Sequence, residues 1–227
     1  MKHWLISRPL FSPLHRFVAN KNDRALVFSA SSTPFSFLMA LSKLIIGGLY
    51  MSLWMVGFGI YYLVLVFSKT WLYYRYTLIR VGKTTTSEKR LGVYHEIVIG
   101  GLLLSLVGLS FAGFSGLMLF HGYQERFSNN LTYMIAFMGF IKTGTSATSL
   151  VRARKLHNPL IQLIKAFNVA NAAVAIVLTQ FAILSMEHSP VANFSTGLFG
   201  LVIGGLIAIG GLWITFKYER RAVKVTH

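Results

Sequence analysis

Long apolar runs separated by short polar clusters dominate the chain. From Leu26 to Tyr74 the residues are mostly apolar over a stretch too long for one bilayer crossing, because a helix needs about 20 apolar residues to traverse the hydrocarbon core. The run divides into two helices, roughly 28–50 and 52–74, joined by a tight turn near Met51-Ser52. Ser29, Ser31, Ser32 and Thr33 with Pro34 make the first of these polar at its start. Four further apolar segments cover 96–120, 131–150, 160–185 and 194–216. The pattern predicts an all-α, polytopic membrane protein with six transmembrane helices. It divides the chain into a basic cytoplasmic segment 1–25, a transmembrane domain 26–216 and a basic cytoplasmic tail 217–227. The longest hydrophilic stretches are 1–25 and 75–95, and no soluble domain is expected.

Charge fixes the parity of the spans. The chain carries 22 Lys and Arg against 6 Asp and Glu, a net charge of +16. The basic residues fall in the N-terminal segment (Lys2, Arg8, Arg16, Lys21, Arg24), after the second span (Lys69, Arg75, Arg80, Lys83, Lys89, Arg90), after the fourth (Arg152, Arg154, Lys155) and in the tail (Lys217, Arg220, Arg221, Lys224). The opposite loops contain only Arg126. With six spans all the rich segments share one side, and the positive-inside rule makes that side cytoplasmic, with both termini in. Basic residues that flank apolar spans argue for a lipid bilayer, here the cell membrane, and against nucleic acid.

Residues 12–18 suit a short basic amphipathic helix, capped by Ser12 with Pro13 in its first turn and Leu10, Leu14, Phe17 and Val18 on one face. It either lies on anionic lipid or is a plain cytoplasmic linker. Residues 1–24 hold no apolar core of the length a cleavable signal needs, so the first span is expected to act as an uncleaved anchor.

The chemical inventory is sparse. Without cysteine there is no disulfide, thiolate metal site or Cys nucleophile. The histidines (3, 15, 95, 121, 157, 188 and 227) form no i, i+4 pair in a span, and His188 shares only a short outer loop with Glu187. No nucleophile elbow, phosphate loop or spaced carboxylate pair is present, so no enzyme activity, metal or cofactor is expected. Ionisable residues at membrane depth are costly and mark function by default. They are Lys43, Lys142 and Lys165, with His95 and Glu96 opening the third span and Asn168 and Asn171 following Lys165. The bland reading of the lysines is snorkelling or pairing with helix carbonyls. Glu96 and Lys165, at similar depth, suit a structural pair; a proton-coupled site on Glu96 is the alternative. Gly200, Gly204, Ala208 and Gly211 share one face of the sixth span, as do Gly108, Ala112 and Gly116 in the third. Such faces allow close packing within the monomer, or in a homodimer or with a membrane-protein partner.

Several short motifs resemble the transmembrane domain of the cation diffusion facilitator family over residues 35–218. Lys43-Leu-Ile-Ile-Gly-Gly-Leu-Tyr-Met-Ser52-Leu is similar to that family's turn from helix one to helix two. Tyr94-His95-Glu96 resembles the start of its third helix, and Arg152-Ala-Arg-Lys-Leu-His-Asn158-Pro159-Leu its basic loop and entry to helix five. Ala192-Asn193 before a Gly-rich sixth helix also fits. The resemblance implies the six-helix scaffold but not its chemistry. The family's Asp-x-x-x-Asp on helix two falls at Tyr61 and Leu65, and its His-x-x-x-Asp on helix five at Phe167 and Asn171. Those metal ligands are replaced, and a C-terminal cytoplasmic dimerisation domain is not expected. Lys43, Tyr61, Tyr62, Lys165, Asn168 and Asn171 would face the former site and suit an anion or polar organic solute. The expectation is a transporter-like protein that moves no divalent metal but another small solute. The alternative is a non-transporting partner or regulatory subunit of a membrane complex.

Overall fold

The computed structural model describes residues 32–49, 53–81, 86–121, 129–154 and 158–226. These form six helices: α1 Ser32–Leu49, α2 Leu53–Val81, α3 Thr86–His121, α4 Asn129–Arg154, α5 Pro159–Met186 and α6 Ala192–Thr226. No strand occurs among the described residues. The amphipathic segment 12–18, the turn at Met51-Ser52 and the loop containing Arg126 lie outside them.

Five helices are long and apolar enough to cross a membrane, over Val56–Tyr76, Gly92–Phe120, Thr132–Val151, Pro159–Met186 and Ala192–Val223. The described residues are therefore all-helical and fit a multi-pass membrane protein. Helix α1 is not among the five; its 18 residues begin with Ser32, Thr33 and Pro34 and rise about 27 Å. Three boundaries differ most from the sequence expectation. Helix α2 continues to Val81 rather than 74, α3 begins at Thr86 rather than 96, and α6 runs to Thr226 rather than 216. The apolar period ends where the bilayer ends, but a helix does not. Lys, Arg and Glu are good helix formers, and no Pro or Gly interrupts 217–226.

The most extensive packing joins α3 to α6. Gly101, Ser105, Gly108, Ala112, Ser115 and Leu119 follow one another in alternating steps of four and three residues, which keeps them on one face of α3. They meet Thr215, Gly211, Ala208, Gly204, Gly200 and Gly197 of α6 in antiparallel order. The approach is backbone to backbone: a Cβ on Gly108 would lie 2.7 Å from the Gly204 carbonyl oxygen, and one on Gly211 2.6 Å from the Gly101 carbonyl oxygen. Thr215 Oγ1 donates across the seam to the Val98 carbonyl at 3.3 Å. Gly116, expected on this face, makes only ordinary contact with Leu201, at 3.8 Å, and Ser115 takes its place in the seam.

The other helices assemble around this pair. Helix α2 packs on α3 through Phe58, whose ring centroid lies 5.0 Å from that of Phe114 and 6.2 Å from that of Phe111. Helix α1 lies on α2, with Leu44 against Gly59. Helix α5 contacts α2, α3, α4 and α6, and its interior residues include Ile161, Phe167, Val174 and Phe181. Its start is well defined: Asn158 Oδ1 accepts from the Leu160 and Ile161 backbone N–H groups, and Pro159 opens the first turn. It ends at Glu187, followed by His188 with a φ of 52°. Helix α4 packs chiefly on α5, with Gly139 against Thr179 and Ala175. Large apolar side chains point outward, among them Leu102, Leu109, Phe120, Leu206, Ile209 and Phe216. Small and polar residues line the interior seams, the arrangement expected where lipid is the solvent.

The seam predicts a sharp contrast among glycines. Gly108→Ala and Gly204→Ala should each lower stability by about 1–3 kcal/mol, as overpacking does. Gly113→Ala and Gly205→Ala, where an added Cβ meets nothing within 4 Å, should be neutral or stabilising by up to about 1 kcal/mol. Thermal unfolding in detergent reads the difference; equal effects at all these positions would contradict the seam.

Candidate functional site

Three lysines converge where α2, α4 and α5 meet. On α2, Tyr62 and Lys69 are seven residues apart and share a face. Lys69 is 3% exposed, and its ammonium donates to Asn168 Oδ1 of α5 at 2.7 Å. Lys165, one turn before Asn168, is also buried. From α4, the Lys142 ammonium sits 5.3 Å from the centroid of the Tyr62 ring, a cation–π contact. Lys142 and Lys165 both lie within electrostatic range of Lys69. Tyr61 packs its ring 5.4 Å from those of Tyr62 and Phe111. Its buried hydroxyl has no hydrogen-bond partner, and neither has the buried Asn171 Oδ1.

Of the residues singled out by sequence, the structure thus brings together Tyr62, Lys142, Lys165 and Asn168; Tyr61 packs on Tyr62, and Asn171 lies one turn beyond Asn168. It adds Lys69, which sequence reasoning assigned to the basic cluster following the second span. The signal was present: Lys69 interrupts the apolar run two turns after Tyr62, well before that run ends at Tyr74. Lys43 belongs to α1, but its side chain lies outside the described residues. His95 is exposed. Tyr61, Leu65, Phe167 and Asn171, the positions aligned with the metal ligands of cation diffusion facilitators, are all buried. Among the described residues no group of three or more His, Cys, Asp or Glu could hold a metal ion.

The expected pairing of Glu96 with Lys165 is replaced. Glu96 is buried and accepts from Arg75 Nε at 2.7 Å, with Arg75 Nη2 on the same oxygen. A guanidinium from the end of α2 offers two donors to one carboxylate, which a single ammonium cannot match in geometry. The other Glu96 oxygen is buried without a partner. The carboxylate is thereby committed to the α2–α3 junction. Nearby, one end of the bundle gathers aromatic and basic side chains. Arg75 lies over Trp71, Lys217 over Trp213 and Arg221 over Tyr218, at 5.8, 4.4 and 5.2 Å from the ring centroids. Tyr218 in turn packs against Tyr94 at 5.9 Å. This matches the aromatic belt of a membrane–water interface.

A separate open groove of about 940 Å³ runs between α1, α2 and α3, lined by Pro34, Phe37, Leu63, Phe67 and Leu103 among others. Its lining includes none of the three lysines. The lysine cluster and the groove are thus distinct parts of the bundle. Comparisons with protein-family models, curated proteins and solved structures find no match for this chain.

The Lys69–Asn168 contact predicts non-additive substitutions. Asn168→Leu removes the acceptor from a buried ammonium and should cost about 2–3 kcal/mol. Combined with Lys69→Met, the loss should be smaller than the sum of the single losses by about 1 kcal/mol or more. Strict additivity in thermal unfolding would show that the two side chains do not interact.

Proposed function

We propose that this chain is a six-helix protein of the cell membrane, with both termini cytoplasmic, which carries a small solute other than a divalent metal. The observation that carries this reading is the lysine cluster at the junction of α2, α4 and α5. A cluster of ammonium groups repels a divalent cation, and ionisable groups held between membrane helices typically mark a solute or ion path.

Other features support the scaffold. Helix ends alternate between two ends of the bundle: the close of α2 lies beside the start of α3 through Arg75 and Glu96, and the start of α3 beside the close of α6 through Tyr94 and Tyr218. That end is the basic one, as the positive-inside rule requires of a cytoplasmic face. The opposite end is poor in basic residues, with Glu187 and His188 in its turn. The resemblance to cation diffusion facilitators adds helix order, and burial of Tyr61, Leu65, Phe167 and Asn171 agrees with an interior location for the aligned positions. The reading assigns no catalytic step.

One observation favours the alternative, a non-transporting partner within a membrane complex. Helix α4 leaves Tyr133, Phe137 and Phe140 exposed and has open space beside Gly144. A stoichiometric protein retained through purification in mild detergent would support that reading.

The absence of cysteine makes topology directly testable. Ser189→Cys should react with an impermeant maleimide on intact cells, and Val223→Cys only after permeabilisation; the reverse pattern overturns the orientation. Proteoliposomes holding the purified chain should take up zinc no faster than empty vesicles but admit at least one small anion or polar solute faster. Zinc influx would refute the reading.

A further inference from the structure

We propose that the groove between α1, α2 and α3 seats an acyl chain of an anionic phospholipid from the cytoplasmic leaflet, with the lipid phosphate at Arg75. The inference goes beyond the solute reading above and takes from it only that these helices lie in a bilayer with their basic end cytoplasmic.

The groove follows from how the helices pack. Helix α1 leans on α2 and makes no extensive contact with α3. A gap therefore stays open between them, with Pro34 and Phe37 on one wall, Leu103 and Leu106 on the other, and α2 from Leu63 to Tyr73 as its floor. That length of helix spans about 15 Å, the depth of one leaflet of a hydrocarbon core about 30 Å thick. Its volume of about 940 Å³ is at the upper end of the range for small-molecule sites, about 300–1,000 Å³. Leu63, Val64 and Leu106 make the deeper part apolar, while Thr70 and Tyr73 lie toward the basic end, where α2 closes. Phe37 and Phe67 remain exposed, so the groove opens on the outer surface of the bundle, where the acyl chains of a bilayer lie.

Charge selects the headgroup. Val64, Ser68, Trp71 and Arg75 follow in steps of four, three and four, which keeps them on one face of α2. Val64 and Ser68 line the groove, and Trp71 and Arg75 continue that wall past its basic end. On α3, Glu96 stands seven residues before Leu103, so the Arg75–Glu96 pair closes the α2–α3 side. The two partners are presented unequally. The Arg75 side chain is 37% exposed and that of Glu96 3%. Arg75 Nε and Nη2 both go to one Glu96 oxygen, and a guanidinium has five N–H donors. The surface therefore offers a cation with donors to spare, beside the exposed Trp71, and hides the carboxylate behind it. A guanidinium matches a phosphate in geometry as well as charge. Helices α1 and α2 contain no Asp or Glu, so nothing on them opposes an anionic headgroup. A zwitterionic lipid would fill the groove equally well but would bring its own cation to Arg75.

The test is native mass spectrometry of the purified full-length chain in detergent, with added phosphatidylglycerol or phosphatidylcholine. One phosphatidylglycerol should be retained per chain, with an apparent affinity about fivefold or more above that of phosphatidylcholine, the gain expected of one basic residue at an anionic lipid. Leu106→Trp fills the groove from an exposed position and should abolish the selective retention. Leu206→Trp, the same change at an exposed site on α6, should leave it unchanged. Arg75→Gln combined with Glu96→Gln removes both charges together and should bring the two lipids to equal affinity. Leu106→Trp carries the test alone should that double variant fail to fold. Equal retention of the two lipids by the unaltered chain, or undiminished phosphatidylglycerol binding by Leu106→Trp, overturns the site. So does a dimer that Leu106→Trp converts to a monomer, because the groove then belongs to a second copy. Selective lipid retention without solute flux in proteoliposomes supports the site and removes the transport reading. Solute flux without selective retention overturns the site and leaves that reading intact.

Discussion

The backbones of α3 and α6 touch, and the rest of the bundle depends on that contact. Two helices normally pack 8–10 Å apart at distances set by their side chains. Here Gly101, Gly108, Gly204 and Gly211 remove the side chains, so carbonyls of one helix reach the other's backbone. In lipid, where apolar burial gives no drive for helices to associate, close backbone packing and hydrogen bonds such as that from Thr215 to Val98 hold them together. The seam's antiparallel order sets the relative direction of two helices that are far apart in sequence. Helix α5 settles against it, with Val177 beside Gly200, and Phe111 and Phe114 of α3 receive Phe58 of α2. Helices α2 and α5 are thus brought into contact, and α4 follows α5.

That geometry has an electrostatic consequence. Joining α2, α4 and α5 places Lys69, Lys142 and Lys165 in one neighbourhood, while the buried carboxylate Glu96 is drawn to Arg75 at the α2–α3 junction. The interior is cationic because of how the helices meet, and the net charge of the chain alone would not have required it. The Trp, Tyr, Lys and Arg side chains at one end are ordinary interfacial anchors. The same residue type occupies two settings: Lys217 stacks on Trp213 at one end, and Lys69 is buried between α2 and α5.

The helical kind of the chain and five of its apolar spans were legible because apolar length is a strong signal when lipid is the solvent. Where the helices stop was not, since charged residues such as those of 217–226 propagate a helix after the apolar signal has ended. Most of the polar cluster was also legible, because amides and lysines stand out in an apolar run. Lys69 was missed for a physical reason: near the end of a span, a lysine that snorkels and one that turns inward are identical in sequence. Glu96 went to Arg75 rather than Lys165 because the choice depends on which side of α3 faces α2, and only packing decides that. Ser115 replaced Gly116 in the seam for a similar reason. A step of three after Ala112 keeps the heptad face, whereas a step of four drifts off it.

The central claim is that α2, α4 and α5 converge on one cationic interior. Crosslinking in native membranes tests it most directly, because the chain has no cysteine of its own. Two pairs are introduced separately, Lys69→Cys with Asn168→Cys, and Tyr62→Cys with Lys142→Cys, and each is treated with a short bis-maleimide. Cleavage sites inserted in the intervening loops report whether the fragments stay joined. The account predicts that both pairs hold the fragments together, while a pair at the outward-facing Phe67 and Phe140 does not. Fragments that separate for both interior pairs, in protein that still folds, would contradict it.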